Sequence, residues 1–116
     1  MPIYLLHEKV TPDQLREMLQ AHSELRMIKI VVDTRRGLVA GGSDMHFECE
    51  QLLLEEGSEQ DDLWGANWYT DEQAVEFESV INLRPRLNQR SVIIQDPELR
   101  RAIEKVARQL LEGIRP

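Results

Sequence analysis

The stretch "LWGANWYTDEQAVEFESVINLR" (residues 63–84) decides the fold. Residues 63–70 and 75–84 both alternate apolar and polar side chains, the two-residue period of a half-buried strand. A short loop at Asp71-Glu72-Gln73-Ala74 pairs Thr70 with Val75. That register sets Trp68 against Phe77, Ala66 against Ser79 and Trp64 against Ile81, so the large apolar groups meet on one face. The opposite face carries Asn67 beside Glu78, then Tyr69, Glu76, Asn82 and Arg84. A slip of one residue would turn both tryptophans to water.

Working outward, residues 27–33 read as a strand with Ile28, Ile30 and Val32 on one face and Lys29 and Asp33 on the other. Thr34-Arg35-Arg36-Gly37 is a turn in which glycine supplies a positive φ, and residues 38–42 return, broken by Gly41-Gly42. Residues 3–6 have the length of a brief strand, and residues 92–94 that of a short edge strand. Three helices are expected. The first opens at Thr11 with a capping box to Gln14 and Pro12 in the first turn. The second is capped by Ser43 or Asp44 and ends at Gly57. The third starts at Asp96-Pro97, carries an apolar stripe of Leu99, Ile103, Val106, Ala107, Leu110 and Leu111, and ends at Gly113. Two hairpins side by side give an α+β domain: a four-stranded, mostly antiparallel sheet with about three helices packed on one face.

At 116 residues the chain has the size of one domain, residues 1–116, and buries roughly two-thirds of its unfolded surface. Its apolar share of 41% and charged share of 30% belong to a soluble globular protein. No apolar run approaches the ~20 residues that span a bilayer, so no membrane partner is expected. Residues 1–8 lack the basic region and long apolar stretch of a signal peptide, which points to the cytoplasm. The single cysteine, Cys49, allows neither an internal disulfide nor a thiolate metal cluster.

The net charge of −7 is unevenly spread. Residues 44–62 hold eight carboxylates and no lysine or arginine; removing that −8 leaves +1 for the rest. Duplex nucleic acid needs a broad basic face, which is absent, and no such partner is expected.

Four strings, "AGGSDMH" (40–46), "LLLEEGSEQDDLWGANWY" (52–69), "INLRPRLNQRS" (81–91) and "DPELR" (96–100), occur in an order that resembles a bacterial family of small single-domain proteins of unknown function. The resemblance covers about residues 30–112. It implies a stand-alone bacterial domain and brings no reaction, cofactor or catalytic residue with it.

The chemistry must therefore be sought in the residues. Arg84, Arg86 and Arg90 fall within seven residues, with Asn82 and Asn88 as neutral donors and Pro85 stiffening the strand exit. Arginine recognises carboxylate and phosphate through a planar fork, so the loop reads as an anion pocket. The plainer reading pairs these arginines with the acidic segment, within the chain or across a homodimer. His46 and Glu50 stand at i,i+4 on one helix face, but no third ligand is visible and no metal is expected. Low in the first helical turn, His46 suits a general base or a half-buried imidazole bonding a carbonyl. Glu78 has the reach of a base with Arg84 steering an anion, or belongs to a wet sheet face. Cys49, among carboxylates, reads as inert core. No Ser-His-Asp arrangement, phosphate loop or dinucleotide fingerprint appears, and no cofactor is expected.

The expectation is binding of a small anionic or polar ligand by His46, Asn67, Glu78, Asn82, Arg84, Asn88 and Arg90. Its alternatives are a homodimeric interaction module and a hydrolase or nuclease-like enzyme acting on a phosphate substrate, with catalytic residues unassigned.

Overall fold

The computed structural model describes residues 3–116; Met1 and Pro2, which open the stretch read against a signal peptide, lie outside the described residues. The chain runs β1 (Tyr4–Leu6), α1 (Pro12–Met18), β2 (Met27–Asp33), β3 (Leu38–Gly41), α2 (His46–Glu55), β4 (Leu63–Tyr69), β5 (Ala74–Glu76) and α3 (Pro97–Leu111), with short 3-10 turns between. The sheet is antiparallel throughout, in the order β1-β3-β2-β4-β5.

The architecture is α+β with three α-helices, as the sequence predicts, and three features are corrected. The sheet has five strands, because Tyr4–Leu6 pairs with β3 and supplies an edge. The predicted strand at 92–94 makes a single bridge, Glu78 to Ile93. The helices do not share one face. α1 and α3 cover the side bearing Ile28, Ile30, Val32, Trp64 and Trp68. α2 packs on the other side, where Cys49 and Leu53 meet Val31, Leu38, Ala40 and Leu63. The cause is visible in β2, whose supposedly wet face carries Met27 and Val31, both buried. An apolar residue between Lys29 and Asp33 needs its own cover.

Local chemistry fixes the ends of these elements. Thr11 and Gln14 exchange the two bonds of a capping box at 3.1 and 3.0 Å. The Asp96 carboxylate accepts from the Glu98 N–H at 3.0 Å and caps α3. In the first hairpin the wholly buried Asp33 accepts the Arg35 and Arg36 N–H groups through one oxygen and the Ser58 hydroxyl, at 2.6 Å, through the other. Gly37 takes the positive φ of +69° that the turn demands. α2 starts at His46, later than predicted. Neither Ser43 nor Asp44 caps it from the N-cap position, which is Met45; Ser43 Oγ instead accepts the Met45 N–H at 3.1 Å.

The second hairpin keeps the predicted faces and changes register. Trp68 opposes Val75 and Asn67 opposes Glu76. Its loop has the predicted length but begins one residue earlier, at Thr70, and closes through Gln73 in the left-handed region at φ 54°. Moving the loop by one residue moves the pairing by two, which preserves the side each residue points to. Both tryptophans are accordingly buried in the main core.

β5 ends at Glu76, well before the predicted Arg84. At Gly65 a Cβ would lie 2.5 Å from the Ser79 Cβ, so the chain crosses where only glycine leaves room. The Asn82 side chain then replaces the missing strand: its Oδ1 accepts the Gly65 N–H at 2.8 Å and its Nδ2 donates to the Gly65 carbonyl at 2.9 Å.

Candidate functional site

The arginine loop follows the 3-10 turn Val80–Asn82, whose Asn82 side chain bonds Gly65 on the uncovered half of β4. Its three arginines have different surroundings. Arg84 is 6% exposed and donates through Nη2 to Glu50 of α2 at 3.2 Å; Glu50 is equally buried. The Arg84 guanidinium also lies 4.6 Å from the centre of the Trp64 ring. Burial disfavours its charge, and Glu50 opposes that effect. Arg86 is exposed and bonds Asp61, at 3.1 Å for the Nη1–Oδ2 contact, and holds that carboxyl below its ordinary range. Arg90 has no carboxylate partner among the described residues.

The acidic segment therefore meets the loop within one chain, at Glu50 and Asp61. The i,i+4 relation of His46 and Glu50 holds on the inward face of α2, but the two residues have separate partners. The His46 ring bonds the Ala66 carbonyl through Nε2 at 2.8 Å, so this nitrogen carries the proton. Burial pushes the imidazole pKa below its ordinary value, against the effect of that carbonyl. No group of three or more metal-ligating side chains forms among the described residues.

The seven residues of the predicted site do not surround one cavity. Asn88 and Arg90 share a cleft of about 630 Å³ between the loop and the start of α3. Gln89, Ser91 and Gln95 complete its polar wall, with Trp64 as part of the floor. Arg84 lines a neighbouring cleft of about 460 Å³ with Glu50 and Arg86. His46 lines a third, of about 380 Å³, on the α2 side of the sheet. Glu78 is exposed and borders a fourth beside Phe77 and Arg100. Asn82 is wholly buried with its amide spent on backbone groups. Asn67 is 7% exposed and donates to Glu76 at 2.9 Å. Burial lifts the Cys49 thiol to about 11, which removes it as a nucleophile near neutral pH.

Sequence reasoning missed Gln95, Gln89 and Ser91. Only the fold brings residue 95 back beside residue 88. Lys29, which lines the third cleft with His46, stands out in the sequence only as a polar residue on the face of β2 opposite Ile28, Ile30 and Val32.

The family described as "Protein of unknown function (DUF5674)" matches residues 4–110, and the chain belongs to it. No curated protein and no solved structure matches the chain.

Proposed function

We propose that the protein binds a small polar anion in the cleft between the arginine loop and the start of α3. One observation carries this reading: of the three loop arginines, Arg90 alone has no carboxylate partner among the described residues, and it lines the cleft that Asn88, Gln89, Ser91 and Gln95 also line. A guanidinium offers five donors in a fixed fork, matched to carboxylate or phosphate oxygens. Asn88 adds a side-chain amide with no hydrogen-bond partner among the described residues, held at its position by a left-handed backbone at φ 61°. The positive end of the 15-residue α3 helix favours negative charge nearby. Asp96, whose carboxylate caps α3, lines the same cleft and opposes an anion at the helix end, which leaves the Arg90 side of the cleft for it. The cleft volume lies within the range usual for small-molecule sites.

The test is thermal unfolding in phosphate, sulfate and chloride at matched ionic strength. Phosphate or sulfate is expected to raise the melting temperature of the wild type above the chloride value. An anion at a hundred times its dissociation constant would add about 2.7 kcal/mol. Arg90→Ala should erase the difference while melting normally in chloride. Equal melting temperatures in the three salts would reject the reading.

A further inference from the structure

α2 covers only part of its side of the sheet. Beyond its first turn lies the 380 Å³ cleft, walled by Met45, Phe47, Val80 and Ile81. Met45, Phe47 and Val80 are 53, 54 and 76% exposed. Single exposed apolar residues are ordinary; three large ones meeting at one concavity mark a binding surface. Lys29, His46 and Ser79 also line it, and no carboxylate does.

Lys29 is half-buried and has no carboxylate partner among the described residues, in a chain of net charge −7. The sheet explains this. Lys29 opposes Asn67, which opposes Glu76. Glu76 is thus two strands away, about 10 Å by ordinary strand spacing. Its carboxylate is already taken by Asn67 at 2.9 Å and the Tyr69 hydroxyl at 3.2 Å. The cleft therefore offers one ammonium without a counter-charge between apolar walls.

We propose that this cleft is a second ligand site, specific for a small monocarboxylate with an apolar body. The carboxylate sits at Lys29, and the body covers Met45, Phe47 and Val80. One compact ammonium matches one negative charge, whereas a phosphate dianion calls for the multiple donors of arginine. The concave shape and modest volume suit a small molecule better than a second copy of this acidic chain. None of these residues lines the Arg90 cleft, so the two sites are separable.

Calorimetric titration with octanoate, and with octanol as its uncharged counterpart, tests the assignment. Wild-type protein should bind both, octanoate more tightly. Lys29→Met keeps the apolar bulk of the side chain and should weaken octanoate at least tenfold while leaving octanol unchanged. Phe47→Ser, at an exposed position, should weaken both. Arg90→Ala should alter neither, which separates this site from the anion cleft. Failure of the wild type to bind octanoate would overturn the proposal, as would unchanged octanoate affinity in Lys29→Met. A stable dimer that Phe47→Ser dissociates and octanoate does not would also overturn it, assigning the surface to self-association.

Discussion

At the residue scale, one side chain changes its meaning on folding. Arg84 looks like part of an anion pocket and proves to be a buried member of a Glu50–Arg84–Trp64 stack. Taking two ions out of water is costly, and removing one leaves the other buried without compensation. Glu50→Ala should therefore lose about 3–5 kcal/mol of stability in urea titrations. Glu50→Leu combined with Arg84→Met should be more stable than Glu50→Leu alone. If Glu50→Ala costs less than about 1 kcal/mol, in the range of an exposed pair, the buried pair does not hold this edge together. His46 gives a second expectation. Its folded pKa lies below the ordinary value of 6.5, so the unfolded chain takes up this proton first as pH falls. Stability should fall as pH drops through and below 6.5, and His46→Gln, which keeps a donor for the Ala66 carbonyl, should flatten that part of the profile. Denaturant midpoints between pH 8 and pH 5.5 decide it; an unchanged slope in the variant counts against a half-buried neutral imidazole.

At the element scale, the edge of β4 is closed by a side chain. Asn82 supplies the donor and acceptor that a longer β5 would have offered to Gly65. Asn82→Ala strands two buried backbone groups, each costing about 1–3 kcal/mol when unsatisfied. Thermal melts should show a loss of at least 2 kcal/mol, and amide exchange at Gly65 should accelerate more than at Trp68. Protection at Gly65 equal to wild type would contradict this role. Periodicity made most elements readable: the capping box at Thr11, the cap at Asp96, the apolar stripe of α3 and the faces of Trp64 and Trp68. It did not reveal where β5 stops. The run from Val75 to Leu83 alternates well enough to continue as a strand, and the obstacle is steric, the approach of Ser79 to Gly65. Nor did it show the two-sided cover of the sheet, although Met27 and Val31 on the lysine face of β2 carried that signal.

At the scale of the whole molecule, the charge pattern closes on itself. The acidic segment and the arginine loop, adjacent only in the folded chain, neutralise each other at Glu50–Arg84 and Asp61–Arg86. The sequence showed both blocks but not which arginines would be consumed, because that depends on the arrangement of α2 and β4 in space. Arg90 at one cleft and Lys29 at another are left facing cavities without a carboxylate partner among the described residues. No helix among the described residues is long and apolar enough to cross a membrane. The division of labour within the arginine loop is open to direct observation by recording nitrogen–proton correlation spectra during a titration with inorganic phosphate. Saturable shifts are expected at the amides of Asn88, Gln89, Arg90, Ser91 and Gln95 and at the Arg90 side chain, with Arg84 and Glu50 unmoved. Shifts centred on Arg84 or on Lys29 and His46, or none at all, would contradict it.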